Sequence, residues 1–217
     1  MRQLSAVDRL ISLLDQGLKV SFAPNNPSRL GSRPLPQPPA TETHCALDPV
    51  SARTSAALMR INHAGEVAAQ ALYYGQALVA KTPEVRTFLL DAAREEGDHL
   101  SWCATRLAQL NARPSLLNPF WFTGAFAIGA IAGLAGDRLS LGFITETERQ
   151  VEAHLSDHLS RLPPADDASR AIIEQMKADE IRHGQQAHDR GGQDLPTPIR
   201  QLMSATSRIM TLSAGLI

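Results

Sequence analysis

Glu96-Gly97-Asp98-His99 and Glu180-Ile181-Arg182-His183 are two copies of Glu-x-x-His lying 84 residues apart; Glu66 stands 30 residues before the first and Glu148 32 before the second. Residues at i and i+3 share one face of a helix, so each copy can aim a carboxylate and an imidazole at the same point. Two helices giving such pairs and two giving lone glutamates supply the ligand set of a carboxylate-bridged two-metal site inside a four-helix bundle. Four carboxylates and two imidazoles suit iron(II) or manganese(II), whereas a zinc site is usually smaller and tetrahedral. By the symmetry of the pattern, Glu96 and Glu180 are expected to bridge two iron ions, with Glu66 and His99 completing one and Glu148 and His183 the other. The low ligand count would leave positions open to dioxygen. Asp98, Asp179 and Arg182 are at hand to orient the imidazoles. The plain alternative is a set of solvated ion pairs on exposed helix faces.

Positioning six such residues requires four helices, and four can be read. The first spans roughly 55–80; the second starts at Thr82-Pro83, a cap followed by proline at the first helical position, and ends before Pro114. A third covers roughly 137–161, stopped by Pro163-Pro164, and a fourth starts near 167–169 and stops at Gly191-Gly192. Every candidate ligand falls inside one of them. A helix pair thus occurs twice, like an internal duplication around a two-fold metal site. No useful strand-like alternation interrupts the pattern, so the fold class is all-α, a ferritin-like four-helix bundle occupying residues 55–217. Residues 1–54 are read as a short amphipathic helix carrying Val7, Leu10, Ile11 and Leu14, followed by a linker that holds half of the 14 prolines between Pro24 and Pro49.

Two further apolar helices stand outside the four. Residues 115–136 contain no charge, and their length would permit a membrane span of about 20 residues. A single crossing would leave Glu96/His99 and Glu148 on opposite sides of the bilayer, so the segment is instead expected to run along the bundle as a crossover. There Phe122, Phe126 and Ile131 would dip into the membrane interface; ordinary core packing is the alternative. After Pro198, Ile199, Leu202, Met203, Ile209, Met210, Leu212, Leu216 and Ile217 leave Arg200 and Arg208 as the sole charges, giving a second apolar helix that faces the membrane.

Composition narrows the remaining classes. A net charge of -1 gives no electrostatic basis for binding nucleic acid. No Gly-rich phosphate loop or flavin or nicotinamide fingerprint appears. Cys45 and Cys103 form no Cys-x-x-Cys pair, which speaks against a thiolate site and for a reducing compartment. The start of the chain has no apolar core of signal-peptide type.

Arg60-Ile61-Asn62-His63-Ala64-Gly65-Glu66, Glu96-x-x-His99, the apolar stretch with Pro119 and Trp121, Glu148 and Glu180-x-x-His183 together resemble the demethoxyubiquinone hydroxylases of ubiquinone biosynthesis. Asp179-Glu180-x-Arg182-His183 is also similar to the Asp-Glu-x-Arg-His run of di-iron oxygenases. The resemblance implies a membrane-associated monooxygenase that uses two iron ions and dioxygen to hydroxylate the ring of a polyprenyl demethoxy quinol. It implies contact with membrane lipid and leaves open a homo-oligomer and contacts with other ubiquinone-biosynthesis proteins; the missing flavin and nicotinamide fingerprints lead to the expectation of an external reductant such as NADH. The location implied is the cytoplasmic side of a bacterial inner membrane, as a peripheral protein. His154 matches a family histidine six residues after the second lone glutamate, which carries protons or holds Glu148 by hydrogen bonding; the tyrosine that follows it in the family is replaced by Leu155. A ferroxidase or iron-binding protein without quinol substrate would use the same six ligands. His63 is assigned to packing or to support of the ligands, His158 and His188 to solvent, His44 to the linker, and Tyr73 to the core or a substrate channel.

Overall fold

The computed structural model of the chain describes residues 8, 15, 31–38 and 47–216, the side chain of the last excepted. Asp8 and Asp15 are helical and exposed; Val7, Leu10, Ile11, Leu14, His44 and Cys45, on which sequence expectations rest, lie outside the described residues. Six helices follow: α1 (Pro49–Val79), α2 (Pro83–Gln109), α3 (Asn118–Leu134), α4 (Asp137–Arg161), α5 (Asp167–Asp189) and α6 (Thr197–Leu216), with no strand among the described residues.

Local chemistry explains the helix boundaries. α1 begins six residues before the sequence-based start because Asp48 caps it, accepting from the backbone N–H groups of Val50 and Ser51 at 2.8 and 3.1 Å, with Pro49 in the first turn. Thr82 caps α2, and Asp137 at the head of α4 accepts from the N–H groups of Lys81 and Thr82, tying the α1–α2 turn to the start of the second pair. Gly136, at φ 110°, permits the bend between α3 and α4. Asp166 caps α5 and also pairs with Arg106 of α2 at 2.7 Å.

Packing forms two helical hairpins, α1/α2 and α4/α5, that face each other as a four-helix bundle. Two apolar clusters fill it from opposite ends. One includes Val67, Tyr73, Leu89, Leu100, Leu141 and Ile144; the other includes Leu58, Met59, Trp102, Leu107, Leu155, Ile172 and Met176. Each fully buried side chain of this size is worth about 1.5–3 kcal/mol. The polar ligands lie along the helices between these clusters, so they are screened from water at both ends.

The crossover helix α3 lies against α1 almost backbone to backbone. A Cβ on Gly129 would stand 2.3 Å from the Leu72 carbonyl oxygen, and one on Gly75 would strike the Phe126 carbonyl. This contact reverses part of the expectation for the segment: Phe122 is buried and Phe126 packs against the core, while Phe120, Ile131 and Leu134 are the residues left outside, each about two-thirds exposed. The helical period decides this, since Phe122, Ala125, Gly129 and Gly133 form one stripe and it is the stripe that faces α1. Helix α6 rests on α1 and α4 and likewise leaves Leu202, Ile209 and Leu212 outside. No described helix is long and apolar enough to cross a membrane.

Candidate metal centre

Glu66 comes from α1, Glu96 and His99 from α2, Glu148 from α4, and Glu180 and His183 from α5; all six are buried. The structure brings them together. Nδ1 of His99 lies 3.1 Å from Glu96 Oε2, 3.2 Å from Glu180 Oε1 and 3.3 Å from Glu66 Oε2. Nδ1 of His183 lies 3.3 Å from Glu96 Oε1 and 3.4 Å from Glu180 Oε2. Glu96 and Glu180 therefore each turn one oxygen toward each imidazole. Glu66, Glu96, His99 and Glu180 offer donor atoms within 4.8 Å of one another, as do Glu148, Glu180 and His183, so Glu180 belongs to both groups.

Behind the ligands lies a reciprocal arrangement. Asp179, one residue before Glu180, holds Nε2 of His99 at 3.1 Å, and Glu95, one residue before Glu96, holds Nε2 of His183 at 3.2 Å. The second hairpin thus orients the histidine of the first, and the first that of the second. Arg182 joins the two carboxylates, donating to Glu95 at 2.6 Å and to Asp179 at 2.8 Å. Carboxylates behind both imidazoles fix the ring orientation that leaves Nδ1 turned inward. Tyr73 donates its hydroxyl to Glu148 Oε1 and meets the His183 ring edge-on.

Charge is the unsolved quantity of this centre. Burial, opposed by the hydrogen bond from His99 and reinforced by the charges of Glu96 and Glu180, lifts Glu66 well above the usual carboxylate range; burial and the same two charges lift Glu148. Burial also works against ionised Glu96, yet the charge of His99 and the hydrogen bonds of both imidazoles hold it down. For His183 burial opposes the cation, but hydrogen bonds to Glu180, Glu95 and Glu96 push it up to about 12. Outside, the hydrogen bond to His183, with Arg182 beside it, holds Glu95 at about 2. The imidazoles thus serve as the cations among four carboxylates. Glu96 Oε1, Glu148 Oε2, both carboxylate oxygens of Glu180 and His183 Nδ1 are buried, and although several stand 3.2–3.4 Å from an opposite charge, none makes a well-aligned hydrogen bond. Orphaned donor atoms of this type fit two divalent ions, which would supply the missing charge and displace the protons.

Other sequence-based candidates fall in varied places. His154 is turned away from the centre: six residues after Glu148 it faces another side of α4, where its ring lies 4.0 Å from that of His158 at a tilt of 56° and lines the groove between α4 and α6. No hydrogen bond joins it to Glu148 among the described residues, and Tyr73 takes that place. His158, expected in solvent, is buried and bonds through Nδ1 to Asn62 at 2.6 Å. His63 is buried against Asn118, and His188 is exposed. Asp98 touches neither imidazole and accepts instead from Ser32 and Arg33. Glu95 escaped sequence reasoning, although the repeated acid-Glu-x-x-His spacing, with Asp179 in the second copy, was a signal for it.

A cavity and a small void border the cluster. A cavity of about 290 Å³ between α4 and α5 is lined by Glu148 and Glu180 and, further out, by Arg149, His188 and Arg200. A narrow void lined by Leu72, Tyr73, Gln76, Ile144 and Glu148 lies beneath the part of α1 on which Gly129 and Gly133 of α3 rest.

Comparison with known proteins gives concordant results. The family model described as "Ubiquinone biosynthesis protein COQ7" matches residues 53–214. A protein of Ralstonia pickettii (strain 12J) named 3-demethoxyubiquinol 3-hydroxylase is 54% identical over 213 residues, which are 96% of this chain and 98% of that one. A protein of the same name from Burkholderia cenocepacia (strain HI2424) is 53% identical over 208 residues, again 96% and 98% of the two chains. Among solved structures, the bacterioferritin-related protein from Bacteroides fragilis, described as a dodecameric thioferritin, superposes with a TM-score of 0.54 over 64% of this chain and 84% of that one. At 20% identity the likeness is one of fold, and that fold is ferritin-like.

Proposed function

Because the chain belongs to the family of the ubiquinone biosynthesis protein COQ7, we propose that it is a 3-demethoxyubiquinol 3-hydroxylase acting through two iron ions. The reaction inserts one oxygen atom of dioxygen into a ring C–H bond of a polyprenyl demethoxy quinol and reduces the other to water. It consumes two electrons and two protons beyond the quinol itself, and these come from an external reductant such as NADH.

The observation that carries the two-iron assignment is the pair Glu96 and Glu180, each with one oxygen toward either imidazole. Glu66 and His99 would hold one ion, Glu148 and His183 the other, with Glu96 and Glu180 between them. The bound pair supplies the activation of dioxygen. The chain supplies everything around it: Asp179 and Glu95 orient the imidazoles, Tyr73 holds Glu148, and the apolar clusters exclude water. For His154 we assign proton exchange with solvent at the groove that its ring lines.

A polyprenyl substrate resides in lipid, so the chain is assigned to the cytoplasmic face of a bacterial inner membrane as a peripheral protein. The exposed apolar residues of α3 and α6 support this. Association as a homo-oligomer or with other ubiquinone-biosynthesis proteins would use what lipid leaves uncovered. A ferroxidase would need the same ligands but not these apolar faces. The test is the quinone content of cells lacking the protein. They should accumulate the demethoxy quinone and recover ubiquinone when the gene is restored; normal ubiquinone in the deletion strain would overturn the assignment.

A further inference from the structure

The strap formed by residues 31–38 lies ahead of the region matched by the family model, which begins at residue 53, and it ends on the metal centre. We infer that Arg33 is a positioning residue for His99, which makes the proline-rich segment before the bundle part of the metal site.

Arg33 spans two helices. Its Nε donates to Asp98 Oδ2 on α2 at 2.7 Å, and its Nη2 donates to Asp179 Oδ2 on α5 at 2.8 Å. That same Asp179 oxygen lies 3.1 Å from Nε2 of His99, so one guanidinium fixes the carboxylate that fixes the ligand. A second path runs through an aromatic ring. The guanidinium lies 4.7 Å over the Trp102 ring, and that ring is 5.3 Å from the His99 ring. Only a rigid fork can serve two carboxylates on different helices while stacking on an indole; a lysine would reach one of them.

The strap is built to deliver this residue. Asp98 accepts from the backbone N–H groups of Ser32 and Arg33, and Trp102 Nε1 donates to the Arg33 carbonyl at 3.4 Å. Gly31 lies so close to α2 that a Cβ would stand 2.9 Å from Asp98 Cα. Leu35 packs into the same cluster as Trp102. Among the described residues no strap covers the other imidazole: Glu95, behind His183, pairs with Arg182 and its side chain remains 34% exposed. Among the described residues the two halves of a nearly symmetric centre are thus held differently: both imidazoles are buried, but the carboxylate behind His99 is 6% exposed and that behind His183 is 34% exposed.

Arg33→Ala, Arg33→Lys and Gly31→Val separate the possibilities, the last lifting the strap without changing any charge. Histidine ring ¹⁵N spectra of the iron-free protein, assigned with single His→Gln variants, report positioning without any turnover. In Arg33→Ala the His99 signals should shift and its Nε2 proton should exchange about 10-fold faster, with His183 unchanged; Gly31→Val should reproduce this and Arg33→Lys should recover part of it. Glu95→Ala should do the reverse, moving His183 alone. In the loaded protein, iron affinity should fall roughly 10-fold in Arg33→Ala, with one of two Mössbauer doublets altered. Equal change at both histidines, or no change at His99 in a folded variant, would overturn the inference. Should Arg33→Ala fail to fold, an unchanged His99 in both Arg33→Lys and Gly31→Val overturns it. The iron readouts rest on the two-iron proposal, whereas the iron-free spectra do not: a His99-selective shift in a protein that binds no iron would sink that proposal and leave the strap standing.

Discussion

Tyr73 on α1 donates its hydroxyl to Glu148 on α4, across the bundle and at the carboxylate that belongs to a single metal group. Tyr73→Phe would leave Glu148 Oε1 buried without a donor while keeping the ring that packs on His183. The expected outcome is a folded protein that loses roughly 10- to 100-fold in iron affinity or turnover. Iron content after dialysis and quinol hydroxylation check it; wild-type values for both would remove Tyr73 from the site.

Glu180→Ala should do more damage than Glu66→Ala, because Glu180 belongs to both metal groups and Glu66 to one. Glu96→Ala should resemble Glu180→Ala, because Glu96 also turns one oxygen toward each imidazole. Iron per chain is expected near two in the wild type and well below that in either bridge variant, with most activity gone. A fully active Glu96→Ala or Glu180→Ala enzyme would refute the two-iron centre.

That these six residues cluster was legible in the sequence because Glu-x-x-His fixes a spacing that only a helix turns into a shared face. The lone glutamates followed from the repeat. Of the groups behind them, Asp179 and Arg182 could be named from their place beside the second motif, but their partners could not, because each partner sits on another helix. Glu95 is adjacent to Glu96 yet points about 100° away, and its value depends on His183, 88 residues later. Arg33 meets Asp179 across 146 residues from a segment with no periodicity at all. His158, expected in solvent, is buried although Asp157 and Arg161 near it are exposed, because neighbours on a helix face different ways. For α3 the apolar content was plain, but which face met α1 depended on where the glycines fell.

Membrane attachment should depend on the residues the structure leaves outside. Phe120→Asp, Ile131→Asp and Leu134→Asp together are expected to abolish flotation with liposomes and turnover of long-tailed quinol, while iron content and activity on a short-tailed analogue survive. Phe122→Asp, by contrast, should destabilise the fold, since Phe122 is buried. Liposome binding equal to the wild type in the triple variant would place the lipid contact elsewhere.

Stability should fall on mild acidification. Burial holds His63 down at about 4, against 6.5 when unfolded. A depressed imidazole stabilises the fold fully above its unfolded value, and the contribution fades as the pH drops from 6.5 toward 4. The loss amounts to about 2 kcal/mol at pH 5 and roughly 3 kcal/mol below pH 4. His63→Gln keeps an acceptor for Asn118 and does not titrate. Urea unfolding of the iron-free proteins at pH 7.5 and 5 should show a smaller drop for the variant by about that amount; equal drops would mean His63 is accessible to protons when folded.

Purified protein should carry no tightly bound flavin, and its turnover should require added reductant, since the chain offers no nucleotide fingerprint. Absorbance near 450 nm and oxygen uptake with and without NADH decide the matter. Flavin retained through purification would contradict the external supply of electrons.

The crosswise hold of Asp179 on His99 and of Glu95 on His183 bears on how such a chain could arise. A single α1/α2 hairpin would own a histidine with no carboxylate behind it and a carboxylate with no histidine before it. Two copies meeting face to face would satisfy both needs at once, by exchange. An ancestral hairpin of this kind would have been competent solely as a dimer, and joining the copies through a crossover would have made that partnership permanent. Once joined, the two would have been free to diverge, and among the described residues the strap at 31–38 reaches the carboxylate behind His99 and not the one behind His183.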